Sequence, residues 1–167
     1  LACWGNDDDG ESSPPEGTYT QVDSGRYNSC AIDRLNEQMI CWGAVKNEVD
    51  IYPGVFKSLS TGAASATCAV KIDGTTFCTD SNYYKPEFSN VTQFSIGLDD
   101  DSGFICGILQ NKKVDCWHTT EDYGHSPNDG AVPPKDEEFM QISSGYRYSC
   151  GIQFDNTGIC WGKMDPH

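Results

Sequence analysis

Phe139-Met140-Gln141-Ile142-Ser143-Ser144-Gly145-Tyr146-Arg147-Tyr148-Ser149-Cys150-Gly151-Ile152, followed after a polar turn by Ile159-Cys160-Trp161-Gly162, contains every part of a unit that recurs along this chain. Phe139 to Ser144 has the length of a strand, mixing apolar with polar residues. Its apolar columns stand three apart rather than two, so a bulge or a twist must absorb one residue. Gly145 permits a sharp turn or a positive φ. A second strand holds Cys150, Asp155-Asn156-Thr157-Gly158 makes the turn, and a return strand holds Cys160.

The same unit is found three more times. Cysteine pairs occur at Cys30/Cys41, Cys68/Cys78, Cys106/Cys116 and Cys150/Cys160. The second members lie 37, 38 and 44 residues apart. Ser24-Gly25, Thr61-Gly62 and Ile96-Gly97 match Ser144-Gly145. Val22, Leu59 and Phe94 match Ile142, and Tyr19, Phe56 and Val91 match Phe139. Prolines precede each first strand, at Pro14-Pro15, Pro53, Pro86 and Pro133-Pro134, where they fix its start. Asp73-Gly74 is a hairpin signal. These marks divide the chain, read as one domain over 1–167, into repeats at about 5–43, 44–80, 81–118 and 119–162. Residues 1–4 then read as the last strand of a preceding repeat.

Cysteines about ten apart across a tight hairpin sit opposite one another, within disulfide reach. Four hairpin disulfides are therefore predicted: Cys30–Cys41, Cys68–Cys78, Cys106–Cys116 and Cys150–Cys160. Cys3 lies 38 before Cys41, so its expected partner is an upstream cysteine. Zinc sites need Cys separations of two to four, which no pair here has. The recurring tryptophans, Trp4, Trp42, Trp117 and Trp161, are expected to pack between adjacent units, as periodic apolar positions in repeats do. The second repeat has Thr79 in that place.

Composition sets the outer bounds. There are 167 residues, with 11 basic against 25 acidic, a net charge of −14 and nine cysteines. Such a field repels phosphate backbones, which argues against nucleic acid as a partner. No run approaches the roughly 20 apolar residues of a membrane span. Paired cysteines at this density belong to an oxidising compartment, so the expected location is extracellular or the cell surface.

The pattern apolar-x-x-apolar-x-x-Gly, then Cys-x-apolar, then Cys-Trp-Gly resembles the regulator of chromosome condensation repeat. It is most similar to the cysteine-bearing branch found in secreted proteins and in crinkly-type receptor ectodomains. The resemblance covers nearly the whole chain. It implies an all-β fold: a β-propeller, or an arc of one, with about four disulfide-stapled blades, each a small antiparallel sheet. Family propellers usually have seven four-stranded blades, which needs roughly 270 residues at ~38 each. An arc of a larger ring is therefore expected. The nuclear members' exchange and chromatin roles need surfaces unlike this acidic one, and fold alone does not transmit function.

Departures from the pattern mark possible sites. The third repeat inserts Leu98-Asp99-Asp100-Asp101-Ser102-Gly103, which offers Asp99 and Asp101 as calcium ligands, although the distant glutamate of a full calcium loop is missing. Asp7-Asp8-Asp9-Gly10-Glu11 reads as a solvated acidic loop. Asn90-Val91-Thr92 is an N-glycosylation sequon. No nucleophile elbow, His-Glu-x-x-His or phosphate loop is present, so no catalytic residue is assigned and no cofactor beyond calcium is expected. Three functions remain open: a non-enzymatic module recognising an extracellular protein or glycan, a structural subunit of a filament or appendage, and an inhibitor docking through one propeller face. Neighbouring blades or subunits are expected partners in each. Tyr27, Tyr146 and Tyr148, just after the corner glycines, could serve the loops or the core.

Overall fold

The computed structural model describes residues 1–43, 49–62, 66–79, 90–98, 103–118 and 132–163. These form four antiparallel sheets and no helix. The first contains β1 (Tyr19–Ser24), β2 (Asn28–Asp33), β3 (Met39–Gly43) and β4 (Asp50–Tyr52). The second contains β5 (Phe56–Thr61), β6 (Thr67–Lys71) and β7 (Thr76–Cys78). The third contains β8 (Val91–Leu98), β9 (Gly103–Leu109) and β10 (Val114–His118), and the fourth β11 (Phe139–Ser144), β12 (Tyr148–Gln153) and β13 (Gly158–Gly162). Each sheet is one blade, with its strands in sequence order.

The three-residue spacing of the apolar columns has a concrete cause. All four first strands carry a register shift, at Tyr19/Gln21, Phe56/Ser58, Val91/Gln93 and Phe139/Gln141. One extra residue turns positions three apart onto the same face. Phe56 and Leu59, Val91 and Phe94, and Phe139 and Ile142 are thereby all buried.

In each hairpin the cysteines are directly opposed, as in Cys30↔Cys41 and Cys150↔Cys160. All four pairs are disulfides, Cys30–Cys41, Cys68–Cys78, Cys106–Cys116 and Cys150–Cys160, with Cα separations of 4.0–4.1 Å. Cys3 is a free thiol, partly buried. The hairpin turns each place one residue at positive φ: Glu37, Gly74, Lys112 and Asn156. Side chains brace them, with Asp73 Oδ1 accepting from the Thr75 amide at 2.8 Å and Asp155 Oδ1 from the Thr157 amide at 2.9 Å. Bonds donated by the Thr75 and Thr157 hydroxyls at 2.6 Å, and then these amide bonds, hold both carboxyls below the usual aspartate range.

The core lies between blades rather than within one. Each blade turns its disulfide toward the next blade and its aromatic column toward the previous one. Cys30, Ile32, Met39 and Cys41 meet Phe56, Leu59 and Ala69. Cys68 and Val70 meet Val91, Phe94 and, at the margin, Trp117. Cys106, Ile108, Val114 and Cys116 meet Phe139, Ile142 and Trp161. A column missing from the sequence reading completes the fit. The residue after each first cysteine is small, Ala31, Ala69, Gly107 or Gly151. A Cβ at Gly151 would lie 2.3 Å from Phe139 Cδ1, so this position is the hole that the aromatic column fills.

One boundary read from the sequence needs correction. Residues 1–18 contain no strand. β4 pairs with β3 although it falls in the second repeat as drawn from sequence, which moves that boundary beyond Tyr52. Trp4 has no second blade against it among the described residues of this chain. It is 87 % exposed here, whereas Trp42 and Trp161 are buried and Trp117 partly so. Trp42 is covered by the acidic N-terminal loop, its Nε1 donating to Glu11 O at 3.0 Å. That loop is braced from within, the Ser12 amide donating to Asp7 Oδ1 at 2.8 Å and the Asp9 amide to Glu11 Oε2 at 2.9 Å.

Polar bridges also cross between blades. Gln21 Nε2 donates to Leu59 O at 2.8 Å while its Oε1 accepts from the Leu59 amide at 3.1 Å. Gln93 Nε2 donates to Ile142 O at 3.1 Å. The second blade has Ser58 at this position, too short to span, and its Oγ is buried with no hydrogen-bond partner. Ser58→Gln should restore the bridge toward Phe94 and stabilise the fold by about 0.5–1.5 kcal/mol. Urea unfolding checks this: the midpoint should rise, and an unchanged or lower midpoint would refute the bridge.

Candidate functional site

The strands β1, β5, β8 and β11 lie side by side, and each ends at a corner of a hydroxyl or apolar residue followed by glycine. The four corners converge on one open cleft of about 410 Å³. Asp23, Ser60, Ser95 and Ser143, each two residues before a corner glycine, contribute a polar side chain to it, as do Ser24, Thr61 and Ser144.

The corners are tied by a repeating bond. The side chain two before the glycine accepts from the backbone amide one before the glycine in the next blade. Asp23 Oδ2 accepts from the Thr61 amide at 2.9 Å, Ser60 Oγ from Ile96 at 3.2 Å and Ser95 Oγ from Ser144 at 2.7 Å. Within a blade, hydroxyls pair behind the corner: Ser24 with Ser29 at 3.1 Å, Thr61 with Thr67 at 3.2 Å, Ser144 with Ser149 at 2.9 Å. The third blade puts Ile96 and Ile105 in those places, keeping the pair matched in polarity.

Glycine at the corner answers to space, not to a left-handed backbone. A Cβ on Gly25 would meet Gly62 O at 2.2 Å, and one on Gly62 would meet Ile96 Cγ2 at 2.2 Å. Positive φ falls instead on the glycine after Cys-Trp, at Gly43 (80°) and Gly162 (99°).

Asp23 is the one carboxylate among the three side chains tying corners together. Burial pushes its carboxyl above the usual aspartate range, outweighing the Thr61, Ser24 and Ser60 bonds that favour the charge. Arg26 and Tyr146 also line the cleft. Tyr27, Tyr146 and Tyr148 are 39 %, 50 % and 40 % exposed, so these residues belong to the surface rather than the core. The Arg26 guanidinium sits 4.9 Å from the centre of the Tyr27 ring. Leu98 and Tyr146 form a backbone bridge between the third and fourth corners, with Arg147 N donating to Leu98 O at 2.7 Å.

Of the other residues singled out from sequence, Asn90 is exposed at φ 75° in the turn before β8, with Thr92 Oγ1 donating to Ile108 O at 3.0 Å. Asp99 and Asp101 lie outside the described residues. The Asp/Ser column escaped the sequence reading, although it stands two before every corner glycine and was visible as a column.

Two changes test this geometry. Gly62→Ala forces a methyl into Ile96 and should cost about 1–3 kcal/mol; a loss below about 0.5 kcal/mol in chemical denaturation would mean that the corners are not tightly apposed. Asp23 has its folded pKa raised, so its contribution is fully present below the ordinary value of 3.8 and is lost as pH rises through the folded value. Asp23→Asn removes that titration. The stability of the wild type relative to the variant should therefore fall as pH rises from about 3 to 7. A constant difference across that range would contradict the burial of the charge.

No family profile matches the sequence. Solved structures do. The CRINKLY WD40 ectodomain of the Arabidopsis thaliana receptor kinase ACR4 is similar over 89 % of this chain and 52 % of its own, at 24 % identity and a TM-score of 0.66. The ectodomain of the Physcomitrella patens receptor kinase CR4 is similar over 89 % of this chain and 43 % of its own, at 22 % identity and a TM-score of 0.67. Prp20p of Saccharomyces cerevisiae, the yeast RCC1, is similar over 97 % of this chain and 51 % of its own, at 12 % identity and a TM-score of 0.57. The chain thus spans about half the length of these proteins. Its fold is that of an RCC1-like repeat propeller, here an arc of four disulfide-stapled blades.

Proposed function

We propose that this chain is a non-enzymatic extracellular recognition module that engages a protein partner through the corner end of its blades. The observation carrying this reading is that exposed Tyr146 and Arg26 line the hydroxyl-rich cleft, with the exposed Tyr27 ring held against the Arg26 guanidinium. Tyrosine and arginine are the side chains that most often dominate protein interfaces, since each offers a large apolar body with a polar tip. The interlocked corners hold these side chains on a rigid base, which lowers the entropic cost of binding. Four disulfides support an oxidising compartment. The net charge of −14 favours a partner other than nucleic acid or an anionic membrane. Two of the similar solved structures are receptor ectodomains, in keeping with that setting.

The test compares two ends of the same blades. Immobilised protein carrying Tyr27→Ala with Tyr146→Ala is set against wild type and against Leu35→Ala, a control in the β2–β3 turn at the opposite end, where Leu35 is 88 % exposed. Extracellular proteins from the native source that bind wild type and the control should fall at least about tenfold on the tyrosine variant, as expected for hot-spot side chains. Equal retention on all three would overturn the reading.

A further inference from the structure

Of the nine asparagines in the chain, Asn90 alone stands two before a serine or threonine without an intervening proline. The fold treats the three residues differently. Asn90 is exposed, Val91 is 2 % exposed in the interblade core, and Thr92 is half-buried. The Asn90 carbonyl accepts from the Gln110 amide at 2.8 Å, in the turn between β9 and β10. Thr18 and Val55 hold the same place before β1 and β5, and accept likewise from Arg34 at 2.8 Å and Ile72 at 2.9 Å. That bond belongs to the main chain, so it does not call for asparagine. A φ of 75° does favour asparagine, but aspartate or glycine would satisfy it too. What the fold leaves unused is the side-chain amide, to which nothing bonds among the described residues. It stands over the β9–β10 turn, at the end of the blade opposite the corners.

We propose that Asn90 carries an N-linked glycan, attached before the third blade closes. The attachment needs a secretory route, and so rests on the extracellular reading above. The transfer is a substitution at the anomeric carbon of an oligosaccharide carried on a polyisoprenyl diphosphate. Asn90 Nδ2 forms the new bond to that carbon, and the bond from the carbon to the diphosphate oxygen breaks. The diphosphate leaves with the electron pair, and the amide gives one proton to a base of the transferase. Thr92 sets the order of events. In the folded chain it is the extra residue of the β8 bulge, and its Oγ1 donates to Ile108 O at 3.0 Å. Thr20 in β1 makes the same bond to Ile32 O at 3.4 Å. A transferase that reads the sequon hydroxyl therefore meets it free only before β8 pairs with β9. Once attached, the glycan shields the turn end of the blade and leaves the corner cleft open.

The experiment expresses the chain behind a cleavable leader in animal cells. Chain is recovered from cells and medium, so that a variant that is not secreted still reports. Wild type should be heavier than the bare 18.3 kDa. Glycan release by an amidase in heavy-oxygen water should return it to that size, with a labelled carboxyl at position 90. Asn90→Asp tolerates the positive φ and Thr92→Val keeps the branched shape, yet both should lose the glycan, while Thr92→Ser keeps it. A bare wild type overturns the proposal, as does a glycan that persists on Asn90→Asp or Thr92→Val or vanishes from Thr92→Ser. Folded bare chain made in bacteria, given a purified transferase and its lipid-linked donor, should stay bare, whereas reduced and unfolded chain is modified. Equal modification of both overturns the order of events. Partner capture at the corner end should be the same with and without the glycan. A bare chain that still captures its partner thus sinks the glycan alone, and a glycosylated chain that captures none sinks the recognition reading alone.

Discussion

Everything in this chain depends on the contact between a disulfide on one sheet and an aromatic column on the next. A three-stranded sheet of five-residue strands has too little apolar surface of its own to fold alone. Here the second and third sheets each bury one face against the blade before and the other against the blade after, so stability belongs to the interfaces. The disulfide serves this contact twice. It fixes the hairpin register, and it presents a flat, compact apolar surface on which Phe56, Leu59, Phe94, Phe139 and Ile142 lie.

The bulge in each first strand follows from the same need. Without it, residues three apart would point to opposite faces and one of the two columns would lose its neighbour. With it, both columns face the preceding disulfide, and the strand bends toward the corner glycine. The bare glycines then let successive corners touch, and the polar side chain two residues earlier reaches across to the next blade. Packing, register and the hydroxyl-lined cleft are thus consequences of one repeated geometry.

Much of this was legible in the sequence because the repeat prints the same local problem four times. The strand spans Tyr19–Ser24 and Phe139–Ser144, the opposed cysteines and the need for a bulge all follow from local spacing. The site was read only in part. Tyr27, Tyr146 and Tyr148 stood out, but their exposure was open, since a tyrosine after a glycine corner fits core and surface alike. Asp23, Ser60 and Ser95 were missed. Their bonds join residues 38, 36 and 49 positions apart, and nothing local says which sheets are neighbours. The glycines were read only in part for a similar reason: a sharp turn or a positive φ both fit the sequence, and the close approach of neighbouring corners was not visible in it.

The sequence by itself determined the unit: its strands, its turn, its disulfide and its period near 38, because these rest on contacts within some fifteen residues. Only the tertiary structure decided how each unit's faces are used. Trp42 and Trp161 are buried while Trp4, in the same Cys-Trp-Gly motif, is 87 % exposed. Ile152 and Val22 repeat buried columns yet stay open. Burial in a stacked array is a property of the neighbour, not of the residue, so identical motifs take different roles according to what lies against them.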